Sequence, residues 1–363
     1  MASIREIAKL AGVSPATVSR VLNADETMSV SPATRTRIIK VANQLNYHKV
    51  ENLGPKSPKQ SNKLSIAVIK THSSKRENDD PYFRMIQEGI ELEAGNWNFR
   101  LETLKLGEVK LEQLAQFGAV LVIGAFTDET LADIHKVNQN LIVVDHHFAS
   151  SRYDLVHTDF AKQTEQVLDY LYEQNHRHIA FIGGEIRTVD LNGQKRDMLA
   201  DVRTTAYEKW MMIHGLADNI QIKTGDWTMA FGVNAANELI EASGEHLPTA
   251  IISASDPISI GIYRALQLKN IAIPETISIF SFDDIEMAGY MSPPLSTAHI
   301  DSLEIGRVAV RLAKERISDG RQTALRVEVA SEMIVRDSVR KINFYNIMEE
   351  FERSDTLSNS FFD

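Results

Sequence analysis

The chain has 363 residues, 43% of them hydrophobic, with 39 Lys and Arg against 49 Asp and Glu and no cysteine. It is too long for one ordinary core, and without thiols it has neither a disulfide framework nor a thiolate metal site. A net charge of −10 argues against a nucleic-acid binder if taken whole, yet residues 1–63 hold ten Lys/Arg and four Asp/Glu, a net of +6, leaving −16 for the rest.

The opening residues Met1 to Glu6 lack the apolar core of a signal peptide, and no apolar run approaches a membrane span, so a cytoplasmic protein is expected. Ile4, Ile7, Ala8 and Ala11 form one helical stripe, and Gly12 sits where that helix must stop. Ser14 can cap the next helix, and Pro15 at its first position gives up a donor that has no partner there anyway. Val18, Val21 and Leu22 continue the stripe, so two short helices meet across a tight turn, the form of a helix-turn-helix. The start signal recurs as Ser31-Pro32-Ala33-Thr34 and opens a third helix with Ile38, Val41, Ala42 and Leu45 on one face. The outer faces carry Thr17, Ser19 and Arg20 in one copy and Arg35, Arg37 and Lys40 in the other, side chains suited to phosphates and to the major-groove edge of guanine.

After Tyr47 the pattern stops, and residues 49–63, with Gly54, Pro55, Pro58 and four lysines, read as a linker. From Leu64 short β-rich runs (64–69, 119–123, 141–144, 179–182, 250–254, 277–282) alternate with helical stretches (82–94, 162–174, 204–213, 233–242, 258–268). That alternation is the mark of parallel sheets covered on both faces, and there are enough units for two doubly wound α/β lobes. The predicted layout is a three-helix DNA-binding domain over 1–48, a linker over 49–63, a bilobed α/β domain over 64–340, and a tail over 341–363.

In open α/β sheets ligands bind beyond the carboxyl ends of strands. Asp145, Gly183-Gly184-Glu185, Ser255-Asp256 and Asp283-Asp284 all follow apolar runs, and Arg203 and Trp227 come from intervening segments. Carboxylates and a guanidinium around an indole face suit a sugar, whose hydroxyls take paired hydrogen bonds while its apolar face stacks. Of the paired acids, Asp283 is assigned to the ligand and Asp284 to a helix cap. Asp145-His146-His147, with His157 beyond, invites a metal reading, but neighbours at a strand end point to opposite sides and no carboxylate cluster follows. Gly183-Gly184 lacks the Lys-Ser/Thr of a P-loop, and no Gly-x-Ser-x-Gly elbow occurs, so neither a catalytic centre nor a cofactor is expected.

The strings IREIAKLAGVSPATVSRVLN and VSPATRTRIIKVANQLNY resemble the headpiece of the lactose-repressor/galactose-repressor family of bacterial transcription regulators, and the likeness extends over about residues 1–340. It implies operator contacts from Ser14, Pro15, Ala16, Thr17, Ser19, Arg20, Asn23, Ser31, Arg35 and Tyr47. It implies effector contacts from Asp145, Arg203, Trp227, Ser255, Asp256 and Asp283, in a body similar to periplasmic sugar-binding proteins. The family commonly has Asn-Asp where this chain has Ser255-Asp256. The segments NDDPYFRMIQEGIE and DVRTTAY resemble the galactoside-responsive branch. The family also places a hinge helix after the headpiece; here Leu53 is the only apolar candidate and Gly54-Pro55 would end a helix at once, which counts against a minor-groove wedge. The expected protein is a homodimeric repressor of carbohydrate-utilisation genes released from double-stranded operator DNA by galactose or a galactoside, with no membrane partner. The alternatives are a global catabolite regulator of the same family working with a phosphocarrier protein, and a sugar-processing enzyme with a fused DNA-binding arm. The tail lacks the leucine heptads by which some relatives tetramerise.

Overall fold

The computed structural model describes residues 4–22, 30–44, 64–72, 80–146 and 151–342. Asn23, Leu45, Tyr47, Leu53, His147, the linker and the tail beyond Ile342 lie outside them. The chain divides into two compact units, Met1–Ser57 and Pro58–Asp363.

In the first unit, α1 (Ile4–Ala11), α2 (Pro15–Leu22) and α3 (Pro32–Gln44) enclose a small core of Ile7, Ala8, Ala11, Val18, Val21, Ile38 and Ala42. Gly12 takes φ +64°, and the Val13 N–H reaches back to Ala8 O at 3.1 Å, which closes α1 with a left-handed turn. Both predicted caps are present: Ser14 Oγ accepts from Thr17 N–H at 3.1 Å and Ser31 Oγ from Thr34 N–H at 3.3 Å.

The second unit is built on two six-stranded sheets. In chain order its elements are β1 (Ser65–Lys70), α4 (Pro81–Asn96), β2 (Arg100–Leu104), β3 (Ala119–Ile123), α5 (Asp128–Val137), β4 (Leu141–Val144), β5 (Asp154–His157), α6 (Phe160–Glu173), β6 (Ile179–Gly184), β7 (Ile186–Val189), β8 (Lys195–Leu199), α7 (Val202–Ile213), β9 (Gln221–Gly225), α8 (Met229–Ser243), β10 (Ala250–Ser253), α9 (Asp256–Leu268), β11 (Ser278–Asp283), β12 (Ser296–Ile300), α10 (Ser302–Ser318), β13 (Arg326–Glu328) and β14 (Ser331–Ile334). The first sheet runs β13-β5-β4-β3-β1-β2 and the second β14-β12-β11-β10-β6-β9. Every pair is parallel except β12 with β14. β7 and β8 form a separate antiparallel hairpin.

The central strands are apolar on both faces because both faces are covered: β1, β3, β4, β6, β10 and β11 are buried along nearly their whole length. Glycines let the covering helices approach closely. A side chain at Gly89 of α4 would meet the Leu303 backbone, one at Gly306 of α10 would meet Ile86, and Gly232 and Gly261 do the same for α8 and α9. The chain passes between the lobes at 158–159, at Asp301 and at 329–330. Two of these crossings are tied together, since Val329 N–H donates to His157 O at 2.9 Å and Thr158 Oγ1 donates to Val329 O at 3.1 Å.

Candidate functional site

A cavity of about 340 Å3 opens between the two sheets at the carboxyl ends of their strands, where parallel sheets place ligands. Thr71, Gly124 and Asp145 come from the ends of β1, β3 and β4; Glu185, Trp227, Ser255 and Asp283 come from β6, β9, β10 and β11. Helix N-termini complete the wall with Tyr82 of α4, Phe160 of α6 and Arg203 of α7. The sequence reading thus placed Asp145, Arg203, Trp227, Ser255 and Asp283 at what is one cavity wall.

Asp145 stands at φ 56° and Asp283 at φ 107°, conformations that side-chain-bearing residues seldom adopt and that aim these strand ends into the gap. Asp145 Oδ1 accepts from Tyr82 Oη at 2.9 Å. Burial first, and then the Asp145 carboxylate, push the Tyr82 hydroxyl well above its usual value, so it remains a donor. Asp283 is also raised well above the ordinary carboxylate range, by burial and then by the neighbouring Asp256 and Asp80 carboxylates.

Arg203 is 6% exposed. Its Nε and Nη2 donate to both oxygens of Asp201 at 2.8 and 2.7 Å, and its Nη1 donates to Ala254 O at 2.9 Å. Burial opposes its charge, but Asp201, Asp283 and Asp145 more than offset that and hold its pKa above the usual arginine value. The guanidinium lies 4.2 Å from the Phe160 ring centroid and 4.7 Å from that of Trp227. Trp227 Nε1 donates to Glu185 O at 3.0 Å, which leaves the indole its faces. Gly184 makes this position possible, because a Cβ there would fall inside the indole ring.

Ser255 occupies the cap position of α9 without capping it. The residue lines the cavity, and its hydroxyl is buried with no hydrogen-bond partner among the described residues, an arrangement native interiors seldom leave unfilled. Among the described residues the wall has two arginines, and both are engaged, Arg203 by Asp201 and Arg187 by Glu185 at 3.4 Å. A wall of carboxylates, hydroxyls and aromatic faces whose described cations are already paired fits a neutral polyol better than an anion.

Two assignments from the sequence are corrected. Asp256 does not line the cavity: it is wholly buried behind the wall, where Oδ1 accepts from Thr297 Oγ1 at 2.9 Å and Oδ2 from Ile285 N–H at 2.8 Å. Asp284 caps no helix; the short turn Glu286–Tyr290 starts at Ile285 without a side-chain cap, and Asp284 instead pairs with Arg336 at 2.7 Å and His299 at 3.1 Å. Tyr82, Phe160 and Asp80 were not foreseen. An Asp-Pro step at 80–81 signals a helix start, which would have brought Tyr82 to the mouth of the sheet. The other surprise is the hairpin β7–β8, whose Arg187 and Leu199 close one side of the cavity.

On the first unit, Ser14, Pro15, Ala16, Arg20 and Ser31 are exposed, and Thr17, Ser19 and Arg35 partly so. The Ser14 and Thr17 hydroxyls bond each other at 2.8 Å while capping α2. No helix among the described residues is long and apolar enough to cross a membrane.

Residues 3–49 match bacterial regulatory proteins of the lacI family, and residues 168–339 match a periplasmic binding protein-like domain. The chain is 33% identical over 339 residues to the HTH-type transcriptional regulator GalR of Lacticaseibacillus casei, covering 93% of this chain and 99% of that one. It is 34% identical over 341 residues to the regulator GanR of Bacillus subtilis strain 168, covering 93% and 100%. Among solved structures, the lac repressor dimer bound to operator and the anti-inducer ONPF superposes with a TM-score of 0.65 at 18% identity, covering 93% of this chain and 99% of that one. The complex of the regulator CelR with cellobiose gives 0.64 at 22% identity, covering 93% and 100%. With relatives of this identity matched from end to end, the chain belongs to the lacI family of bacterial regulatory proteins: it is a DNA-binding transcriptional regulator and not an enzyme.

Proposed function

We propose that this regulator represses carbohydrate-utilisation genes and that a neutral sugar, galactose or a galactoside, releases it from its operator. The observation that carries the sugar is the cavity itself, lined by Asp145, Asp283, Tyr82 and Trp227 and by Ser255, whose buried hydroxyl is unbonded among the described residues. Asp145 and Asp283 accept from ring hydroxyls, Arg203 donates its remaining N–H groups, and the indole takes the apolar face of the ring. The names of the GalR and GanR relatives favour a galactose-type ligand.

Residues 1–48 form the reading head, joined by 49–63 to the effector domain at 64–340. Pro15, Ala16, Thr17, Ser19 and Arg20 of α2 enter the major groove, while Ser14, Ser31 and Arg35 hold phosphates. Asn23 and Tyr47 join them. The protein acts as a homodimer, like the operator-bound lac repressor dimer it superposes on, so that two short helices read a near-palindrome. Sugar binding between the lobes shifts their relative angle, and the operator complex weakens by the ligand's differential affinity for the two states.

The test is an operator gel shift with the full chain. Galactose or a galactoside should weaken binding by at least about tenfold, within the usual range of allosteric coupling, and a sugar phosphate should not. Release by a phosphorylated sugar alone, or indifference to every neutral sugar, overturns the reading.

A further inference from the structure

The β7–β8 hairpin is rooted in one lobe and docked on the other. Its feet stand in the second lobe: Glu185 N–H donates to Gly225 O of β9 at 2.7 Å, and Asp201 caps α7 by accepting from Arg203 N–H at 2.8 Å. Its far half belongs to the first lobe. Val189 N–H donates to Ala125 O at 3.0 Å, Thr127 N–H to Val189 O at 3.1 Å and Gly107 N–H to Leu191 O at 2.8 Å. Val189 is buried in the core on one face of the first sheet with Ile69, Val122 and Leu131, and Leu191 packs against that core beside Leu104 and Leu106.

The hairpin has little slack. Val189 lies four residues beyond Glu185, a reach of roughly 14 Å at most, and β7 is paired with β8. Where the register shifts between Arg187 and Val189, Thr188 bridges the irregularity: its Oγ1 donates to Asp197 O at 3.4 Å and accepts from Asp197 N–H at 3.1 Å. Asp190 stiffens the tip by accepting from the N–H groups of Asn192 and Gln194 and from Arg196. Between feet and tip, Ile186, Arg187 and Leu199 line the sugar cavity, whereas Thr127, Val189 and Leu191 lie outside its wall. Widening the cleft here must draw Val189 out of a buried site or break the feet.

We propose that this hairpin is a strap that holds the unliganded lobes close to the angle at which their halves of the sugar site face each other, with Thr127, Val189 and Leu191 as its positioning residues. This rests on the sugar reading above and adds what sets the lobes before the sugar arrives. Asp145 and Tyr82 come from one lobe, and Asp283, Arg203 and Trp227 from the other. A site split in this way loses affinity in proportion to the time its halves spend apart, and the strap keeps that time short. The shift made by the sugar is then a small adjustment of a tethered cleft.

Because the chain has no cysteine, dyes placed on Ala115→Cys in the first lobe and Asn234→Cys in the second, both exposed, report the interlobe distance by energy transfer in full-length protein diluted into unlabelled chain. Thr127→Pro combined with Leu191→Ser removes one donor and one apolar anchor. Thr127 has φ −68°, proline's own angle, so the backbone is not strained. The control, Thr127→Val with Leu191→Met, loses the same helix-cap hydroxyl but keeps the N–H and the apolar bulk. The first pair should lengthen or broaden the unliganded distance and weaken binding of galactose, lactose and methyl β-galactoside by about tenfold. The control should keep the parent's distance and an affinity within about twofold. An unchanged distance in the first pair, a changed one with unaltered sugar affinity, or an equal loss in the control overturns the strap while the sugar reading stands. Should the parent bind none of the three sugars, the sugar reading fails, and the dye distance alone decides whether the hairpin ties the lobes.

Discussion

Ser255 and Asp256 are adjacent in sequence and opposite in role. Ser255 is 3% exposed and its buried hydroxyl has no partner among the described residues; leaving such a group unbonded costs about 1–3 kcal/mol. Ser255→Ala should therefore raise the melting temperature of the unliganded protein while weakening sugar binding by about tenfold, the worth of one hydrogen bond to a buried site. Calorimetry and titration on the same sample read both effects, and a variant that melts lower with unchanged affinity would make the hydroxyl merely structural. Asp256 sits one layer behind, and burial raises it to about 7 in spite of bonds from Ser281, Ile285 and Thr297. Its folded pKa lies above its unfolded value, so the native state holds the extra proton: the stability this gives is full below about pH 4 and is lost as pH rises through about 7. Asp256→Asn keeps the shape without the titration. Its melting temperature relative to the parent should rise between pH 5 and pH 8, and an advantage that shrinks over that interval refutes the assignment.

At the level of elements, legibility followed continuous apolar runs and not burial alone, since β5 and β12 are largely buried yet carry Asp154, Ser296 and Thr297 in their buried positions and went unread. The core strands β1, β3, β4, β6, β10 and β11 were readable because strands covered on both faces must be apolar throughout. The edge strand β2, Arg-Leu-Glu-Thr-Leu, has only exposed and half-buried residues, and β13 has three residues, so neither forms an apolar run. α10 went unread although Ile305, Ala309, Leu312 and Ala313 keep helical spacing and are buried. The β7–β8 hairpin carried a signal in Asn192-Gly193, with Gly193 at φ +75°, a pairing that favours tight turns. Its second strand, however, is exposed throughout and begins Lys-Arg-Asp, and β7 buries only Thr188 and Val189, so neither strand forms an apolar run. The same physics explains the site. Residues at strand ends were found by counting from apolar runs, whereas Tyr82 and Phe160 resemble ordinary core aromatics until the fold brings α4 and α6 to the cleft. Asp256 was misassigned because sequence position fixes the strand end but not which of two neighbouring side chains turns toward the cavity.

For the whole molecule the decisive feature is the division of charge, +6 on residues 1–63 against −16 on the remainder. An acidic body repels the phosphate backbone, so affinity for DNA rests on the few cations of the first unit and on the counterions they displace. Each phosphate contact adds about 0.9 to the slope of log affinity against log salt. In the proposed reading Arg35, partly exposed on the first turn of α3 beside the Ser31 cap, holds a phosphate, and Arg20, exposed on α2, meets a base edge. For a dimer with two headpieces engaged, Arg35→Ala should lower the salt slope by about 2 and weaken specific and nonspecific duplexes alike. Arg20→Ala should instead cost roughly 1–3 kcal/mol on the operator alone and relax the preference at one base pair in each half-site. Neither should alter sugar affinity, since both lie in the first unit and the cavity lies wholly in the second. Operator titrations across a range of potassium chloride, with a scrambled duplex beside the operator, separate these outcomes. An unchanged slope for Arg35→Ala would move that residue out of the phosphate set, and a loss for Arg20→Ala that is equal on both duplexes would take base reading away from α2.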